Sequence, residues 1–113
     1  MPDRIYLQGV TGGVRHSVID ELREVIGNAG GWIVDFQLFS NLAISLIFEL
    51  ERSRLTSLID QFERIDIRLS DASIEILSDP DRHTGEGELR VLFNLTFQNG
   101  DGDLRTPIPA IPG

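Results

Sequence analysis

Five residues, Gly9-Val10-Thr11-Gly12-Gly13, hold the arrangement best suited to chemistry in this chain. They lead from an alternating stretch into a helical one. Glycines there let backbone amides approach a ligand, and the free amides and dipole of a helix N-terminus favour an anion. Arg15 and His16, immediately beyond, would add charge. The expected ligand is a small carboxylate, such as the α-carboxylate of an amino acid. A tight turn made by two glycines accounts for the same residues with no ligand. No Gly-Lys-Ser/Thr follows, so this is not a nucleotide-phosphate loop, and the full dinucleotide fingerprint is missing. Gly31 and Trp32 complete the candidate ligand-binding set of Thr11, Gly12, Gly13, Arg15, Gly31 and Trp32.

Other chemistry-bearing residues form weaker patterns. His16 stands opposite the apolar stripe of its helix, where pairing with Asp20 explains it. His83 lies in the polar segment Asp79 to Glu86, which reads as a solvated loop rather than a metal site. Asn99-Gly100-Asp101-Gly102-Asp103 resembles the start of a calcium loop but lacks its required glycine and terminal glutamate, so a turn is the better reading. Glu49 and Glu51 bracket a strand end without a visible cleft, and no serine or threonine has a recognisable base and orienter. The chain is therefore read as a non-enzyme, without a cofactor or metal.

The elements that must position these residues follow from periodicity. Arg4 to Val10 alternates and predicts a strand. Val14, Val18, Ile19, Leu22, Val25, Ile26 and Ala29 form one helical stripe, starting between Val14 and Ser17 and ended by Gly30-Gly31. Trp32, Val34, Phe36 and Leu38 alternate as a second strand, which places Trp32 in the core. Leu42, Ile44, Leu46, Phe48 and Leu50 make the clearest strand, joined to the second across Ser40-Asn41. A second helix runs from about Arg52, with Leu55, Leu58, Ile59, Phe62 and Ile65 on its apolar side. Glu88 to Phe97 predicts the last sheet strand, with residues 66 to 87 an elaborated connection. The alternative closes the fold at Ile65 to Leu69 and adds 88–97 as a fifth strand. Ser73 to Leu77 reads as a short strand or a helical turn.

That order is β-α-β-β-α-β, an α+β ferredoxin-like arrangement with an antiparallel sheet and two helices on one face. The expected domain spans residues 1–98, followed by an extended Pro-rich tail over 99–113. A chain of 113 residues, 41% hydrophobic and 25% charged, can bury a core of its own without disulfides. Cysteine is absent, which excludes thiol chemistry and disulfide scaffolds and fits a cytoplasmic protein. The first residues resemble no signal peptide, and no apolar run is long enough to span a bilayer. A net charge of −8 opposes nucleic acid and anionic membrane as partners.

From Arg4 to Leu69 the pattern resembles the ACT domain, a small module that binds amino acids and regulates enzymes. The likeness rests on the order of elements, on glycine leading into the first helix (Gly12, Gly13) and on glycine before the second strand (Gly30, Gly31). That family carries an Asp-x-Pro-Gly-like loop where this chain has Thr11-Gly12-Gly13-Val14, and Gly-x-Asn-Ile where it has Gly31-Trp32-Ile33. The resemblance implies a regulatory, amino-acid-binding homodimer. Gln8-Gly9-Val10 also resembles the acylphosphatase loop, with Asn41 near the place of its asparagine. The position of the phosphate-binding arginine falls on Gly13, so the charge clamp is missing and this chemistry is rejected. The runner-up function is a structural or oligomerisation domain with no small-molecule ligand. A homodimer is expected either through the sheet face opposite the helices or by edge pairing.

Overall fold

A computed structural model describes residues 3–40, 42–79 and 86–98. In chain order the elements are β1 (Asp3–Thr11), α1 (Arg15–Asn28), β2 (Trp32–Ser40), β3 (Ala43–Glu51), a 3₁₀ turn (Arg52–Arg54), α2 (Leu55–Arg64), β4 (Ile67–Leu69), α3 (Asp71–Ser78) and β5 (Glu88–Phe97). The protein is thus α+β, with five strands in the order β2-β3-β5-β1-β4. His83, Asn41, the segment Asn99 to Asp103 and the Pro-rich tail lie outside the described residues.

The expected four-stranded antiparallel sheet with two helices is corrected, among the described residues, to a mixed five-stranded sheet with three helices, in line with the alternative closure at Ile65 to Leu69 with 88–97 as a fifth strand. Ile67–Leu69 is a strand, antiparallel to β1, and β5 is a fifth strand rather than the closing one. β5 lies in the middle of the sheet, parallel to β1 along all nine residues of that strand and antiparallel to β3. Burial explains the position. Leu89, Val91, Phe93, Leu95 and Phe97 are each no more than 1% exposed, and a strand with so apolar a face gains most where both its edges are paired. The segment 66–87 is likewise no mere connection, since Asp71–Ser78 is helical.

The two helical stripes behave as the spacing predicts except at Val14, which precedes α1 and is exposed. Val18, Leu22, Val25, Ile26 and Ala29 of the first, and Leu55, Leu58 and Phe62 of the second, join one core with Ile5, Leu7, Ile44, Leu46, Phe48 and the β5 side chains. Phe62 stacks on Phe93, with ring centroids 5.3 Å apart. α1 starts at Arg15 with Val14 as its cap and no side-chain capping bond, so Ser17 does not open it. It ends as expected: Gly30 has φ +80, and the Gly31 amide reaches back to the Ile26 carbonyl at 2.9 Å.

β2 departs from its predicted phase. Its partners on β3 run Trp32 to Glu49 and Ile33 to Phe48, then shift so that Asp35 meets Ile47 and Phe36 meets Leu46. Val34 is the extra residue of a bulge. Such an insertion reverses which side chains face the core on either side of it. Trp32 is therefore on the sheet face away from the helices, 45% exposed, and not in the core; Val34 and Leu38 are exposed as well. Phe36 packs against the core as expected, and Ile33 does so in place of Trp32.

The other edge is finished differently. β4 pairs with only Gly9 to Thr11, and α3 takes over where it stops. The Ser73 hydroxyl, buried, accepts from the Gln8 amide at 2.8 Å, while the Ser70 amide donates to the Gln8 carbonyl at 2.9 Å. Ser70 also caps α3 by accepting from the Ser73 amide at 3.2 Å, so one short helix start both begins the helix and closes the strand edge.

Candidate functional site

The expected anion loop is built, but its amides are already occupied. β1 ends at Thr11, fully buried, whose hydroxyl accepts from the Gly13 amide at 3.1 Å. The Gly12 amide donates to the Asp66 carboxylate at 3.3 Å. Asp66 follows the end of α2 with φ +60, a left-handed conformation that Asp tolerates better than most residues. The chain thus brings a carboxylate of its own to the helix N-terminus. A free anion would have to displace it and meet its charge. Gly13 has a packing reason to be glycine: a Cβ there would lie 2.6 Å from Val18 Cγ2. Arg15 is half-buried at the start of α1, and His16 and Asp20 are both exposed.

Gly31 and Trp32 are not brought to this loop. In the strand register Trp32 stands in one row with Glu49, Arg90 and Arg4, at the beginning of β1. Thr11 is at its end, seven residues or about 23 Å away along the strand. The cause is α1, whose 14 residues span about 21 Å and carry the chain from one end of the sheet to the other. The six candidate residues therefore form two groups at opposite ends. Gly31 is required by close approach, because a Cβ would lie 2.6 Å from the Glu49 carbonyl oxygen.

Beside Trp32, Glu49 is 8% exposed on the sheet face away from the helices. Its Oε2 accepts from Arg90 Nε at 2.8 Å and from Nη2 at 2.5 Å. The carboxylate is thus paired with its neighbour. Glu51, two residues on, is exposed. Among the described residues no group of three His, Asp or Glu side chains stands close enough to hold a metal ion.

Several depressions lie elsewhere among the described residues, two of them beside β4. A shallow groove of about 460 Å³ on the open sheet face is lined by Gln8, Val10, Arg68, Ser70, Asn94 and Thr96, and Arg68 there donates to Gln98. A cleft of about 220 Å³ between α2, β4 and α3 is lined mainly by Ile59, Ile67, Leu69 and Ile74. Neither includes Gly12, Gly13 or Trp32.

The surface that sequence reasoning did not locate, although it allowed edge pairing, is the outer edge of β2. Of the eight large apolar side chains left exposed among the described residues, five fall between Trp32 and Leu42: Trp32, Val34, Leu38, Phe39 and Leu42. β2 is nine residues long and ends the sheet, with β3 as its one neighbour. Edge strands of soluble proteins are ordinarily blunted by charge, proline or a bulge, and β2 has register irregularities at Ile33/Asp35 and Leu38/Ser40. This one has a single charged residue, Asp35, and no proline. The signal available in the sequence was that poverty of charge within a chain of net charge −8.

No helix of the described residues is long and apolar enough to cross a membrane. The chain matches no family model, no curated protein and no solved structure.

Proposed function

We propose that this domain is a protein-interaction module that self-associates through the edge of β2. The observation that carries the reading is the concentration of exposed apolar side chains on a nine-residue strand with one free edge. Such an edge offers a row of backbone donors and acceptors together with apolar area, the two components of strand addition. With β5 set aside, the remaining strands stand in the order β2-β3-β1-β4, with α1 and α2 as crossovers. That supports a ferredoxin-like core into which β5 has been inserted, and it leaves β2 as the free edge. The wild-type domain is dimeric by light scattering at micromolar concentration on this reading. A Leu38→Lys, Phe39→Lys variant is monomeric, with unchanged circular dichroism. A wild-type monomer at high micromolar concentration overturns the reading.

A second reading, an ACT-like regulatory domain that binds an amino acid or small carboxylate at Thr11-Gly12-Gly13, has one observation in its favour. The Gly12 amide does bind a carboxylate, that of Asp66. An external ligand would take its place, so a swing of Asp66 would accompany binding. A thermal-shift screen of amino acids and small carboxylates tests this, because a ligand bound by the native state alone raises stability by mass action. No shift with any of them at millimolar concentration removes this reading.

A further inference from the structure

We propose that the strand added to β2 is β2 of a second copy, antiparallel, with Phe36 on the two-fold axis. This rests on the reading of β2 as an association edge and goes on to fix the partner and the register.

Charge selects the partner. Each copy carries −8, so most faces of two copies repel one another. β2 is where the acidic chain can meet itself, since Asp35 is the one charge from Trp32 to Ser40. The exposed side chains there, Trp32, Val34, Leu38 and Phe39, are uncharged and apolar.

Geometry selects the register. A two-fold axis perpendicular to the sheet pairs identical strands antiparallel and keeps the helices of both copies on one side. Opposed residues must then share a face, so permitted registers differ by steps of two residues in the pairing sum. From Asp35 to Leu38 the faces alternate cleanly: Asp35 and Gln37 lie beside Ile47 and Ser45, Phe36 and Leu38 beside Leu46 and Ile44. Phe36 is the midpoint of Trp32–Ser40, so full overlap places it opposite itself. Asp35 then faces Gln37 of the other copy, a carboxylate against an amide donor, and Val34 faces Leu38. The neighbouring register in one direction sets Asp35 against Asp35, like charges directly opposed, which is destabilising. The neighbouring register in the other direction shortens the overlap and sets Asp35 against Phe39. The two register irregularities of β2, at Ile33/Asp35 and Leu38/Ser40, fall on either side of this central stretch and leave it regular. The product is a continuous ten-stranded sheet with β2 at its centre.

The chain has no cysteine, so introduced thiols report the register without background. Asp35→Cys and Gln37→Cys variants are prepared separately, then oxidised mildly alone and as a mixture. Both positions are exposed, so neither substitution disturbs the core. Directly opposed residues lie about 4.5–5.5 Å apart between Cα atoms, within reach of a disulfide. Two copies of residue 35 are offset by two residues along the strand, about 8 Å apart and beyond that reach. The expected result is a disulfide heterodimer in the mixture and little cross-link in Asp35→Cys alone. Efficient cross-linking of Asp35→Cys with itself overturns the register. So does the absence of any cross-link in samples that light scattering shows to be dimeric, and either outcome leaves self-association standing. A protein monomeric by light scattering overturns the association reading itself.

Discussion

The Gly12 amide and the Asp66 carboxylate, 54 residues apart in the chain, meet at 3.3 Å where β1 turns into α1. The contact ties the end of α2 to the start of α1 and fills the place where an external anion was expected. Asp66 holds φ +60, so its side chain and its backbone both matter. Asp66→Ala should cost about 1–2 kcal/mol, from left-handed strain on a Cβ-bearing residue and a lost charge-assisted bond. Asp66→Asn should cost well under about 1 kcal/mol, because Asn tolerates that conformation and keeps an acceptor. Urea denaturation of both variants decides it, and no loss with Asp66→Ala would mean that the contact contributes nothing.

Three glycines separate conformational from packing requirements. Gly27 lies within α1 and a Cβ there meets nothing within 4 Å. Gly27→Ala should stabilise the domain by about 0.5–1 kcal/mol through helix propensity. Gly31→Ala should destabilise it by about 1–3 kcal/mol, since the added carbon would lie 2.6 Å from the Glu49 carbonyl and the backbone must move. Gly30 has open space but φ +80, so Gly30→Ala should cost about 1 kcal/mol from strain alone. Thermal or chemical denaturation should rank the variants Gly27→Ala, Gly30→Ala, Gly31→Ala from most to least stable, with Gly27→Ala alone above wild type.

The Glu49–Arg90 pair sits on the open sheet face with side-chain exposures of 11% and 32%. Removing the arginine leaves a nearly buried carboxylate without its partner. Arg90→Ala should therefore destabilise the domain by about 1–3 kcal/mol, and Glu49→Gln in the Arg90→Ala background should recover part of the loss. A double-mutant cycle with no coupling would show that solvent screening leaves the pair without consequence.

Leu46 and Ile47 test which face of the sheet is covered. Leu46 is 1% exposed beneath the helices, and Ile47 is half-buried on the other side. Leu46→Ala should cost about 2–5 kcal/mol and Ile47→Ala less than half as much. Equal losses by chemical denaturation would place a second covering layer on the open face.

The elements that could be read from the sequence were those with unbroken period. The stripes Val18 to Ala29 and Leu55 to Phe62 and the alternations of β3 and β5 each point their apolar residues into the core. Trp32 could not be read correctly, because one inserted residue at Val34 reverses the phase of β2 and period-two counting is blind to it. The central place of β5 was hidden for a different reason. Alternation identifies a strand with one buried face but carries no information on its neighbours or on its direction. The separation of Thr11 from Trp32 was legible all along, since a helix of 14 residues between them is as long as the strands it spans. Asp66 gave no sign of its contact with Gly12; a long-range bond from an exposed acidic residue leaves no periodic trace.

The central claim, that the outer edge of β2 takes another strand, is tested most directly by amide hydrogen exchange along Trp32–Ser40 at low and high protein concentration. Strand pairing protects the alternate amides that point away from β3, so their exchange should slow markedly as concentration rises, while β1 and β5 amides, already paired within the monomer, stay unchanged. Outward β2 amides that exchange at the same unprotected rate from dilute to high micromolar protein would contradict the account.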